Sequence, residues 1–194
     1  MRRATFLAGA LLACALAGRH ALAQDIEAGR AKAQACAACH GADGNAIAPE
    51  IPSLAGQSWR YLYVQLRDFK EGRRSNPVMS PMAAPLSRED MMAIANFYAA
   101  QTLKPAAFAV DEAKARLGKA KADETLCTMC HLGGLLGQNE IPRLAGQSYP
   151  YIVAQLKAFK ARTRTNDAGT MTSVAQTLSE ADIDNLAHYI AGLR

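Results

Sequence analysis

Apolar positions recur at helical spacing in two separate parts of the chain. Within residues 58–71, Leu62, Gln65, Leu66 and Phe69 fall along one side of a helix. Residues 148–161 repeat that pattern. Upstream of each, segments 26–38 and 111–129 read as helices that end at a cysteine motif. A last helix in each part is announced by a capping box, Ser87-x-x-Asp90 and Ser179-x-x-Asp182, an Asp variant of the usual Glu form. Nowhere does a period-two alternation persist long enough for a sheet, so the pattern predicts an all-α protein.

The two parts are copies of each other. Cys36 and His40 recur 91 residues later as Cys127 and His131. Ile51-Pro52-Ser53-Leu54-Ala55-Gly56-Gln57-Ser58 recurs 90 residues later as Ile141-Pro142-Arg143-Leu144-Ala145-Gly146-Gln147-Ser148. Leu86-Ser87 recurs 92 residues later as Leu178-Ser179. A drift of one or two residues places short insertions in loops, where they are tolerated. The period exceeds that of solenoid repeats and predicts duplicated domains, 24–104 and 105–194, joined near Pro105. Each half is small for an independent apolar core.

The cysteines supply what is missing. Cys36-Ala37-Ala38-Cys39-His40 and Cys127-Thr128-Met129-Cys130-His131 each have the spacing and following His of covalent c-type haem attachment. The thiols add across the haem vinyl groups and the adjacent His reaches the iron. A closed zinc centre needs four ligands, and each half offers three. A thioredoxin-like pair would need a βαβ setting that the helical pattern does not provide. Two covalently bound haem c groups are expected, each furnishing much of the interior of its half.

Charge then reads differently. The whole chain carries 22 basic and 17 acidic side chains, a formal +5. Met1-Arg2-Arg3, an apolar run from Ala4 to Ala17 and Ala21-Leu22-Ala23 have the form of an export signal cleaved before Gln24. Twin-arginine and lipoprotein variants of that leader fit less well, because Phe6-Leu7 is displaced and the apolar run continues past Cys14. Loss of residues 1–23 removes Arg2, Arg3 and Arg19 and no acid, leaving +2. Two ferric haems with ionised propionates bring the sum near neutral. A nucleic-acid partner is not expected, nor a membrane span in the mature chain. The leader implies a periplasmic location.

The far face of each iron decides between carrying electrons and catalysis. A methionine there closes the coordination sphere, whereas an open face admits a small molecule. Met171 is the sole candidate in the second half outside its motif, seven residues before Leu178. Met79 stands seven before Leu86, while Met82 aligns with Val174, so Met79 is preferred. Met91 and Met92 read as core filler in the last helix of the first half. Pro52 and Pro142 are placed in loops suited to hold the second ring nitrogen of His40 and His131 through a carbonyl. His188, the other mature His, lies about 170° from the apolar face of its helix and is expected in solvent. Lys70-Arg73-Arg74 and Lys160-Arg162-Arg164 read as solvated helix ends, the alternative being pairing with haem propionates or an acidic partner.

These motifs together resemble the dihaem cytochrome c4 family over essentially the whole mature chain. The resemblance implies two tandem class I cytochrome c domains with His40–Met79 and His131–Met171 as axial pairs and Pro52 and Pro142 as carbonyl partners. It also implies a periplasmic electron carrier, not an enzyme, running from a quinol-oxidising cytochrome bc complex to a terminal oxidase. Two alternatives share the domain pattern: an electron-transfer subunit of a flavocytochrome or other dehydrogenase, and a dihaem peroxidase. The halves differ after the motif, Gly41-Ala42-Asp43-Gly44-Asn45 against Leu132-Gly133-Gly134-Leu135-Leu136, so unequal haem edges are expected.

Overall fold

A computed structural model describes residues 26–104 and 108–194. The expected leader and Pro105 lie outside the described residues. The first half holds α1 (26–40), α2 (Trp59–Lys70), α3 (Met79–Ala83) and α4 (Arg88–Ala99). The second holds α5 (Glu112–Glu124), α6 (Cys127–His131), a 3₁₀ turn (Gly133–Leu135), α7 (Tyr149–Lys160), α8 (Thr170–Gln176) and α9 (Glu180–Gly192). Among the described residues there is no strand, only an isolated bridge between Gln138 and Ile141. The all-α expectation holds, and the predicted ranges of α2 and α7 are each met within a residue.

Both capping boxes form. Ser87 Oγ accepts from Asp90 N–H and Ser179 Oγ from Asp182 N–H, both at 3.0 Å, and each Asp accepts the serine N–H in return. Where the halves differ, local chemistry explains it. The alanine-rich first segment runs unbroken through His40. The second stops at Glu124 because Thr125 Oγ1 bonds back to Lys121 O at 2.7 Å and Leu126 adopts φ +56°. The single helix expected over 111–129 is therefore two, α5 and α6.

In each half the first and last helices cross at a glycine. A Cβ on Gly29 would lie 2.4 Å from Ala93 O, and one on Gly118 would lie 2.0 Å from Asn185 O. The glycines let the backbones touch, fixing the frame that carries each cysteine motif. Around the first crossing Ala33, Leu62, Ile94, Phe97 and Tyr98 form a core, and around the second Ala122, Leu178, Ile183 and Leu186 do so. Of the two methionines expected as filler, Met91 is buried at 4% exposure but Met92 is 36% exposed, so only the first serves the core.

One pair of positions exchanges volume between the copies. Gly44 O accepts Leu54 and Ala55 N–H at 2.7 and 3.1 Å, and Leu135 O accepts Leu144 and Ala145 N–H at 2.8 and 3.1 Å. Both residues have positive φ, +78° and +56°. The glycine leaves room for Tyr98, whose ring would be 2.7 Å from an added Cβ. The second half has the smaller Ile190 there, and the fully buried Leu135 side chain fills the space instead. Leu135→Ala should therefore lower stability by about 2–5 kcal/mol in denaturant unfolding of the holoprotein. A loss below about 1 kcal/mol would mean that Leu135 does not occupy the volume Tyr98 fills.

Candidate haem sites and the contact between them

The end of α1 presents Cys36, half-buried against the first core, then Cys39 in the open and His40 buried. The short α6 presents Cys127, Cys130 and His131 in the same order. None of these four cysteines is paired in a disulfide. His40 Nδ1 lies 2.9 Å from Pro52 O and His131 Nδ1 lies 2.8 Å from Pro142 O. Because a carbonyl accepts only, each Nδ1 carries the proton, and Nε2 is the nitrogen left with a lone pair. Burial lowers both imidazole pKa values and the carbonyl bonds oppose it. A neutral imidazole with one nitrogen left for iron, beside two cysteines outside any disulfide, fits a covalent haem at each motif.

Met79 and Met171 sit at the starts of two short helices that sequence periodicity did not reveal. Asn76 Oδ1 accepts Val78 and Met79 N–H at 2.9 Å, and Asp167 Oδ2 accepts Thr172 N–H at 2.7 Å. A side-chain acceptor thus opens both methionine-bearing helices. Met79 and Met171 are half-buried, whereas Met82 is 40% exposed.

His188 does not lie in solvent, as expected, but is buried at 8% exposure. The segment after the boundary folds across the second side of α9, so that Phe108 and Tyr149 enclose the ring at 5.2 and 4.8 Å between centroids. Asp111 N–H donates to His188 Nδ1 at 3.1 Å. An angle measured from one apolar face could not anticipate this second cover.

The basic clusters divide: Lys70, Arg73 and Arg162 are exposed, as expected of solvated helix ends, whereas Arg74 and Arg164 turn inward. Arg74 donates to Gln65 Oε1 at 2.7 Å in its own half, and to Tyr151 OH at 3.1 Å and Gln155 Oε1 at 2.9 Å in the other. Arg164 mirrors it, donating to Gln155 Oε1 at 2.7 Å, Gln65 Oε1 at 3.1 Å and Tyr61 OH at 3.2 Å. Each guanidinium stacks on its own half's phenylalanine, Phe69 or Phe159, at 4.6 and 4.5 Å. These arginines join the halves about a pseudo-twofold axis. For these two the solvated reading fails, because it treated each half alone. Burial would raise the Tyr61 pKa, but the two guanidiniums outweigh it and lower it.

A second crossed set lies beside the haem motifs, and sequence reasoning missed it. Gln57 Nε2 donates to Arg143 O at 2.9 Å, while its Oε1 accepts Arg143 N–H at 2.8 Å. Gln147 does the same to Ser53, at 2.9 and 3.0 Å. The only sequence signal was that the repeat kept Gln57 and Gln147 with no role in the haem motif.

Comparison with known proteins places this geometry. The family model described as Cytochrome c matches residues 26–100 and again 115–194. Cytochrome c4 of Pseudomonas aeruginosa is 41% identical over 196 residues, covering 96% of this chain and 98% of that protein. The thiosulfate dehydrogenase electron acceptor of Thiomonas intermedia is 40% identical over 173 residues, covering 82% and 79%. The crystal structure of reduced recombinant cytochrome c4 from Pseudomonas stutzeri superposes with a TM-score of 0.81 at 38% identity, covering 87% of this chain and 98% of that one.

Replacing Arg164 by Gln removes a buried cation, one of the donors to Gln65 Oε1 and to Gln155 Oε1, and the donor to Tyr61 OH. It should lower the unfolding free energy by about 1–3 kcal/mol, while Arg116→Gln on the exposed face of α5 changes it by less than about 0.5 kcal/mol. Denaturant unfolding of the holoprotein checks both, and equal effects would refute the joining role.

Proposed function

The chain belongs to the dihaem cytochrome c4 family and is an electron-transfer cytochrome with two covalently bound haem c groups; from that premise we propose that it carries electrons in the periplasm from a quinol-oxidising cytochrome bc complex to a terminal oxidase. Residues 1–23 act as the export signal, and the domains divide between residues 104 and 105. Among the described residues no helix is long and apolar enough to cross a membrane. Lys104 bonding to Asn45 and Phe108 packing on Tyr149 support the division, since one belongs to each half.

Cys36 and Cys39 hold the first haem, with His40 and Met79 on its iron. Cys127 and Cys130 hold the second, with His131 and Met171. The carrying observation is the paired anchoring of His40 on Pro52 and His131 on Pro142, which leaves one Nε2 in each half to bind iron. When bound, the haem supplies a one-electron ferric–ferrous couple. The protein's part is to keep each imidazole neutral and oriented, to close the opposite face with a thioether, and so to raise the potential. With Met79 and Met171 as ligands alongside the histidines, neither iron would keep a position for peroxide, and the reading is of a carrier, not an enzyme.

One observation favours a second reading. The Thiomonas relative is named for accepting electrons from a thiosulfate dehydrogenase, and this chain could serve a periplasmic dehydrogenase, a flavocytochrome included, in the same way. Stopped-flow reduction by each candidate donor distinguishes the two.

A spectroelectrochemical series on the holoprotein should show two low-spin haems, two potentials, and the weak far-red band of methionine-ligated ferric haem. A high-spin ferric signal would favour catalysis. Met171→Ala should abolish the low-spin six-coordinate state of the second haem alone, and Met79→Ala that of the first. If Met82→Ala removes it instead, Met79 is not the ligand.

A further inference from the structure

The crossed glutamines touch the peptide groups that hold the axial histidines. Pro52 O and Ser53 N–H belong to one peptide unit. Its oxygen accepts from His40 Nδ1 at 2.9 Å, and its N–H donates to Gln147 Oε1 of the other half at 3.0 Å. The second site is built the same way: Pro142 O accepts from His131 at 2.8 Å, and Arg143 N–H donates to Gln57 Oε1 at 2.8 Å. Both glutamines are buried, at 6% and 7% exposure. Each is fixed by accepting its own neighbour's N–H, Ser58 or Ser148, at 2.9 Å.

Resting on the ligand assignment above, we propose that Gln57 and Gln147 are positioning residues that tune the haem of the opposite domain. Hydrogen bonds in series polarise one another. An amide whose N–H donates carries more negative charge on its oxygen and becomes the better acceptor. Gln147 thereby strengthens the Pro52 bond to His40, gives that imidazole more imidazolate character, and stabilises ferric iron in the first domain. Gln57 acts on His131 in the second. The two halves are linked energetically as well as held together.

The experiment uses the holoprotein, with each haem's potential assigned by NMR of its methyl resonances through a redox-poised series. Gln147→Met, close in size and without hydrogen bonds, should shift the reduction equilibrium of the first haem two- to threefold toward ferrous. At 59 mV per decade for one electron that is roughly 18–28 mV. The His40 Nδ1–H resonance should move with it, while the second haem changes less. Gln57→Met should give the reverse pattern. Gln147→Glu, which keeps the acceptor, should not raise the first potential. Ser58→Ala, which removes an interface hydrogen bond to Asn139 O without touching either peptide, should move neither haem selectively.

Equal shifts at both haems in either glutamine variant, or the larger shift in the variant's own domain, would overturn the proposal. So would no shift. Absence of the low-spin methionine-ligated spectrum in the unsubstituted protein would instead overturn the ligand assignment, so the two failures are distinguishable.

Discussion

Each half of this molecule turns on one hydrogen bond, from a histidine ring to a prolyl carbonyl. It fixes the protonated nitrogen, leaves the other free, and sets the plane in which an iron ligand can work. The surrounding elements serve it. A helix ending at Cys-x-x-Cys-His delivers the ring, and a loop from the repeated Pro-x-Leu-Ala-Gly-Gln-Ser segment delivers the carbonyl. The first and last helices cross at Gly29 or Gly118, closely enough to hold the cysteine motif against a core. Burial makes the bond matter. In water a carbonyl would compete with solvent for the ring, but at 5–6% exposure His40 and His131 have no such alternative.

Duplication then poses a second problem. Two small halves, each with much of its interior given to a cofactor, have little apolar surface with which to adhere. Their join is correspondingly polar, built from side chains that bond in pairs about a pseudo-twofold axis. Gln57 and Gln147 cross to backbone, Arg74 and Arg164 cross to amides and phenols, and Asn166 reaches Asp68 at 2.7 Å. Buried polar groups of this kind are costly when half satisfied and specific when fully satisfied. That specificity holds the two haem sites in one fixed relation.

The copies have nevertheless drifted. Tyr98 and Gly44 in one correspond to Ile190 and Leu135 in the other, so that a loop side chain takes over part of the filling that the last helix supplies in the first half. The cost appears in the backbone, because Leu135 occupies a left-handed conformation that glycine adopts freely. The rim of the second motif is also more apolar. Met129 and Leu136 are 71% and 54% exposed where the first half has Ala38 and Asn45. The surfaces beside the two cysteine motifs therefore differ in polarity.

Local chemistry could be read directly from the chain. The cysteine motifs, the duplication, the capping boxes and the helical periodicity depend on neighbours within a few residues, so order along the sequence suffices for them. The helix break at Leu126 and the capped turns before Met79 and Met171 were harder. They hang on single side chains, a hydroxyl donor at Thr125 and acceptors at Asn76 and Asp167, that leave no periodic trace. Other features had no local signature. His188 was assigned to solvent because its helix was given one buried face, and Phe108 and Tyr149 supply a second. Arg74 and Arg164 looked like solvated helix ends because their partners lie in the opposite copy. Gln57 and Gln147 were visible only as repeated letters. Sequence thus determined what each half is, since that rests on short-range bonds and spacing. Tertiary structure alone decided how the halves join, since that rests on groups some 80 to 100 residues apart meeting where water is excluded.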